Sequence, residues 1–231
     1  MPTTPISTAT AARSGVPART SAEQCERVET ALAAFARGGF VIVFDDESRE
    51  NEGDLMVAAE YTDDATMLRL LTHTSGVVCA AVPYERCAEL DLPQMTERNS
   101  GLHGTAFTVS VDLLEGGTTG ISAVERARTL RALADPGTRP RDLGRPGHVF
   151  PCRAAAGGVL ERDGHTEAAV DLSRLAGLSG VTTMCELVLP DGRMARLDDL
   201  REFSAREQAP LISVGDLVAY RRTRTTPGEA R

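Results

Sequence analysis

The chain has 231 residues, 42% of them hydrophobic, 25% charged and 4% aromatic, which leaves room for one sizeable core built from small aliphatic side chains. All 25 basic residues are arginine, which excludes chemistry that needs a lysine amine: Schiff-base aldol cleavage, lysine-bound pyridoxal phosphate and P-loop kinases. The net charge of −8 excludes a general nucleic-acid binder, and no apolar run approaches the roughly 20 residues of a membrane span.

Residues 1–20, rich in Thr, Ser, Ala and Pro, read as a disordered tail. Ser21 and Gln24 then form a capping box, and Cys25, Val28, Leu32 and Phe35 follow at helical spacing until Gly38. Val41–Phe44 reads as a buried strand, with the charged loop Asp45–Asp54 behind it. A helix near Asp64–His73 leads into a strand at Val77–Val82. Leu90 to Gly104 is irregular, after which Phe107–Leu113 alternates like a half-buried strand. Glu115–Gly120 is a Gly/Thr loop, and Ser122 with Glu125 caps a helix running to about Ala134. Asp135–Pro151 carries four prolines and reads as a long loop with a fixed path. Four elements complete the chain: a helix from near Thr166 to Gly177, a strand Met184–Leu189 turning through Asp191-Gly192, a helix near Asp198–Gln208 and a strand at Leu211–Val214. With no internal repeat, this is one α+β domain over about 21–220, followed by a tail, 221–231. Five scattered cysteines without CxxC spacing give neither a disulfide framework nor a zinc site, and read as the reduced thiols of a cytoplasmic protein.

Several segments have the composition of a site. Asp45 to Asp54 packs six carboxylates around Arg49 just after a buried strand, a density that a hard divalent cation would neutralise and that a solvated acidic turn would also explain. Arg49 offers a fork for a phosphate or a diol. Arg162, His165, Thr166 and Glu167 stand at a loop-to-helix junction, where free amides favour anions and an imidazole can hold a metal. His148 lies among prolines in RPGHVFP, where it is either a turn filler or a functional group. Glu186 is embedded in an apolar strand, so it either faces solvent or is a buried carboxylate suited to proton transfer near neutrality. Cys79 ends the apolar string HTSGVVC and reads as core packing.

Taken in order, the strings DDESRENEGD, HTSGVVCAAV, HGTAFTVSVD, GTTGISAVER, RPGHVFPCRAAAGGVLERDGHTEAAVDL, CEL, DGRMAR and DLVAYR resemble the 3,4-dihydroxy-2-butanone 4-phosphate synthases of riboflavin biosynthesis over about 200 residues. The resemblance implies a single-domain, three-layer sandwich of mixed sheet and helices. It implies magnesium, or alternatively manganese, and no organic cofactor. The implied reaction converts D-ribulose 5-phosphate to L-3,4-dihydroxybutan-2-one 4-phosphate and formate. Carried over residue by residue, Glu50 and His165 bind the metal, while Arg49, Glu50, Asp54, Arg162, His165 and Thr166 meet the substrate. His148 and Glu186 move protons, Glu52 and Asp54 are acid/base or substrate-orienting groups, and Cys79 lines the site. The family's homodimers share their active sites, so His148 is expected to reach across the interface. The chain lacks the cysteine cluster of a fused GTP cyclohydrolase II domain and so resembles the monofunctional form. Two departures stand out: Thr182-Thr183 places hydroxyls just before Glu186 where the family commonly carries a proline nearby, and His103 fills a position that is a frequent active-site tyrosine or histidine.

Overall fold

The structure, a computed structural model, describes residues 22–224. The expected tail at 1–20, residues 225–231 of the tail expected at 221–231, and Ser21 of the capping box lie outside the described residues. Seven strands form one sheet in the order β4-β5-β3-β6-β2-β1-β7: β1 Val41–Phe44, β2 Gly53–Ala58, β3 Cys79–Val82, β4 Val111–Leu113, β5 Leu143–Arg153, β6 Thr182–Glu186 and β7 Leu211–Ser213. The sheet is mixed, because β5 and β7 pair in parallel with β3 and β1 while the remaining pairs are antiparallel.

Helices cover both faces, giving the three-layer α+β sandwich. The helices are α1 Ala22–Phe35, α2 Asp64–His73, α3 Tyr84–Glu89, α4 Ala123–Ala134, α5 His165–Leu175, α6 Leu197–Glu207 and α7 Val214–Arg224. On one face Ile42, Leu55, Val57 and Ala80 pack against Met67 and Leu70 of α2, Leu130 and Leu133 of α4, and Leu200 of α6. On the other, Val41, Val43, Met56 and Ala81 meet Val28 and Phe35 of α1, Leu172 of α5 and Leu217 of α7. Each fully buried aliphatic side chain contributes about 1.5–3 kcal/mol. The central strands therefore carry apolar residues on both faces, which is why β2 reads as a continuous run rather than an alternation.

Caps set the helix starts. Asp63 accepts the Thr66 amide at 2.8 Å ahead of α2. Ser122 accepts the Glu125 amide at 3.2 Å and donates its hydroxyl to the Glu125 carboxylate at 2.8 Å, so the expected cap of α4 is in place. Each such cap stabilises by about 1 kcal/mol.

Four readings of the sequence need correction. The loop expected over Asp135–Pro151 is strand β5 from Leu143 onward. Its prolines are accommodated because residues 145–148 bulge out between the pairings Gly144↔Asp112 and Val149↔Val111, and Pro151 contributes a carbonyl, which accepts from Thr108 N at 2.9 Å. Asp54 belongs to β2 rather than to the loop before it. Only Val111–Leu113 of the strand expected from Phe107 is regular, with Phe107 and Thr108 held by isolated bridges. Helices α3 and α7 had no counterpart in the sequence reading, and α7 runs to Arg224, past the domain boundary expected at 220.

Candidate active site

The loop between β1 and β2 is shaped by one carboxylate. Asp45 is buried and accepts the amides of Glu50 and Glu52, each at 3.0 Å, as well as Arg49 Nη1 at 2.9 Å. Its own amide donates to the Glu52 carbonyl at 3.2 Å. Arg196, at the start of α6, donates to the carbonyls of Glu50 and Asn51 from the other side. The acidic run is thus a clasped turn that holds Arg49, Glu50 and Glu52 in fixed directions. Asp45→Asn, which keeps one acceptor oxygen and loses the charge, is expected to lower kcat/KM about 10- to 100-fold with the fold retained; kinetics beside a thermal melt check it.

Helix α5 supplies the opposite wall. It is buried along most of its length between α1, α7 and the sheet, so its first turn carries His165, Thr166 and Glu167 into the interior. Gly164 precedes it because a Cβ there would fall 2.3 Å from Arg162 Nη1, in the path of the 2.5 Å ion pair between Arg162 and Glu167. Arg162 also donates to the His103 carbonyl at 3.1 Å, which fixes the guanidinium plane from a second direction.

Between these walls lies a cavity of about 410 Å³ floored by the sheet. It is lined by Arg49, Glu50, Glu52, Asp54, Cys79, His103, Arg162, His165, Thr166 and Glu186, and so gathers every expected site residue except His148. Asp54 and Glu186 are direct partners across the β2–β6 ladder, which puts their side chains on one face about 5 Å apart at Cβ. Two carboxylates at that spacing resist double ionisation. Burial, with the charges of Glu186, Glu50 and Glu52 and against the attraction of His165, pushes the Asp54 carboxyl up to about 7. Glu52 is raised as well, by burial and by the Glu186 and Glu50 charges. Glu186 instead receives the Ser75 hydroxyl at 2.6 Å, and Ser75 N donates to its backbone carbonyl at 2.9 Å.

Glu50 and His165 form the charged corner. His165 Nδ1 lies 3.1 Å from Glu50 Oε2. That bond, outweighing partial burial and reinforced by Arg49, holds Glu50 down to about 2. Burial opposes the imidazolium charge, but Asp54, Glu50 and Asp45 outweigh it and raise His165 to about 9. Ligand atoms of Asp45, Glu50 and His165 all lie within 4.8 Å of one another. Asp45 is committed to the loop, whereas His165 Nε2 is buried with no hydrogen-bond partner. With Glu50 at Nδ1 and Nε2 free of any partner, the imidazole and the carboxylate together offer donors of the kinds that bind a divalent cation.

His148 stands apart, on the β5 bulge. Its ring Nδ1 is 2.7 Å from Asp112 Oδ2, its amide donates to Asp112 Oδ1 at 2.8 Å, and its side chain is 43% exposed. The hydroxyls noted before Glu186 do not enter the cavity: Thr182 donates to the Ala169 carbonyl at 2.9 Å, and Thr183 bonds to Thr62 at 2.8 Å. Ser75 and Asp112 are not marked by the sequence: each acts on a residue distant in the chain, and no local pattern signals that.

The chain matches known proteins over most of its length. Residues 29–220 match the family model of 3,4-dihydroxy-2-butanone 4-phosphate synthase. The chain is 53% identical over 196 residues to the 3,4-dihydroxy-2-butanone 4-phosphate synthase of Nitratidesulfovibrio vulgaris strain Hildenborough, covering 85% of this chain and 92% of that protein. It is 53% identical over 195 residues to the riboflavin biosynthesis protein RibBA of Salinispora arenicola, covering 84% of this chain but spanning about half (46%) of that longer protein. Among solved structures, a 3,4-dihydroxy-2-butanone 4-phosphate synthase in complex with two magnesium ions superposes with a TM-score of 0.82 at 43% identity, covering 85% of this chain and 96% of that one.

Proposed function

The chain belongs to the 3,4-dihydroxy-2-butanone 4-phosphate synthase family of riboflavin biosynthesis, and from that premise we propose that it converts D-ribulose 5-phosphate to L-3,4-dihydroxybutan-2-one 4-phosphate and formate. The observation that carries this reading is the pairing of Asp54 and Glu186 across one ladder, in the same cavity as Glu50 and His165. Enolisation, loss of water, skeletal rearrangement and expulsion of C4 each need a proton moved at a defined place. Asp54, poised near 7, exchanges its proton at neutral pH, while Glu186, oriented by Ser75, is the second acid/base group. Glu52 stands beside them as a third acid/base group.

Arg162 and Thr166, with the amides opening α5, hold the phosphate end, and Arg49 meets the hydroxyls. Glu50 and His165 would hold magnesium, or manganese in its place, which when bound polarises neighbouring ketose oxygens. Two protein ligands suit a cation that keeps most of its shell for water and substrate. No organic cofactor is needed. Cys79 closes the floor beside Glu186. His148, the one expected catalytic residue that the chain places outside its own cavity, serves the site of a second copy in a homodimer, with Asp112 holding its ring. Among the described residues no helix is long and apolar enough to cross a membrane, in keeping with a cytoplasmic enzyme.

The test is incubation with magnesium and ribulose 5-phosphate labelled at C4. Labelled formate is the expected product. An epimeric pentulose phosphate or free phosphate in its place would overturn the assignment.

A further inference from the structure

The cavity has a second chemical character on its floor. Cys79 on β3 stands directly opposite Met184 on β6, and Cys152 on β5 lies two residues beyond Phe150, the β5 partner of Cys79. All three side chains fall on the same face of the sheet and line the same cavity. The neighbouring Cys152 thiol, with burial, holds Cys79 well above its ordinary pKa. An offset of two residues between neighbouring strands separates the two Cα atoms by roughly 8 Å. That is beyond the span of an unstrained disulfide, about 4.4–6.8 Å. The thiol pair therefore remains open to a ligand instead of closing on itself.

We propose that Cys79, Cys152 and Met184 form a soft-cation site, in which two thiolates and one thioether bind a single Cu(I) or similarly thiophilic ion and block the substrate cavity. Thiolate and thioether donors select soft ions, whereas the carboxylate and imidazole of Glu50 and His165 suit a hard one. One cavity thus offers two seats of opposite preference. Binding exchanges two thiol protons for one Cu(I) with no change in oxidation state, the protons passing to solvent. A protonated thiol is a poor nucleophile, so the corner resists ordinary alkylation, and it yields to an ion whose affinity suffices to displace the protons.

The experiment titrates the intact magnesium-loaded protein, without oxygen, with Cu(I) supplied as its bicinchoninate complex. One Cu(I) per chain is expected to leave the dye at the tightest site, with formate release falling in proportion and excess magnesium failing to restore it. Cys152→Ala and Met184→Leu should each need at least tenfold more Cu(I) for half occupancy. Unchanged affinity in both folded variants would overturn the proposal, as would transfer of the effect to Cys25→Ser or Cys185→Ser, or reversal by magnesium. Occupancy is read from the dye, so this result stands apart from whether the chain releases formate.

Discussion

Glu186→Gln is expected to lower formate release about 1,000-fold, in the middle of the range for losing one positioned acid/base group, while leaving the protein folded. Glutamine keeps the length of the side chain and a carbonyl oxygen for the Ser75 hydroxyl, so the ladder between β2 and β6 and the loop at Ser75 keep their contacts. What disappears is a carboxylate that can accept a proton. The change also reaches Asp54: burial is the main reason its carboxyl sits at about 7, but the Glu186 charge adds to it, so the substitution moves Asp54 back toward its ordinary value. Residual activity should therefore show its acid-side pH limit at lower pH than the parent. Steady-state formate release against pH checks both effects. Activity within tenfold of the parent would remove Glu186 from the chemistry and leave Asp54 and Glu52 to carry it.

Stripping divalent ions with EDTA is expected to abolish formate release, and added magnesium to restore it; full activity in EDTA would overturn the metal assignment. The site dictates how binding depends on pH. A metal-bound imidazole must be neutral, yet His165 is held protonated up to about 9 by Asp54, Glu50 and Asp45. Magnesium binding at pH 7 should then release close to one proton, and the affinity should rise about tenfold per pH unit up to about 9. Calorimetry in buffers of different ionisation heat measures that proton. Without metal the sign reverses for stability. The raised His165 contributes stability that is complete below pH 6.5 and lost as pH rises through about 9. Glu50, depressed to about 2, contributes stability present above pH 4.5 and lost as pH falls toward 2. His165→Gln should remove both the proton release and the metal requirement's partner, leaving an inactive, folded chain.

The acidic loop, the start of α5 and the strand bearing Glu186 were legible in the sequence because each is a local signal: a charge run, a loop-to-helix junction and a carboxylate within an apolar string. The spans of β1 and α2 could be read closely, since Val41–Phe44 is a short apolar block and a helix was expected near Asp64–His73. Position in the sheet was not legible. Asp54 looked like the tail of a loop because β2, buried on both faces, shows no alternation to announce where the strand begins. Strand β5 was hidden by prolines that a bulge accommodates, and a bulge exists only against its neighbour β4. Helix α7 follows β7 without a break and carries three arginines in its last turn, so little in it announces an apolar face. The partners Ser75–Glu186 and His148–Asp112 join residues 111 and 36 positions apart, a relation that folding alone establishes.

The order of the sheet bears on how two copies can meet. Both outer strands, β4 and β7, are only three residues long. An edge that short presents too few free amides and carbonyls for a neighbour to add a strand with any gain, and each is followed closely by chain that turns away. Continuous sheet between subunits is thereby disfavoured as a mode of association. A contact between copies made through side chains would leave undisturbed the ladder that holds Asp54 against Glu186.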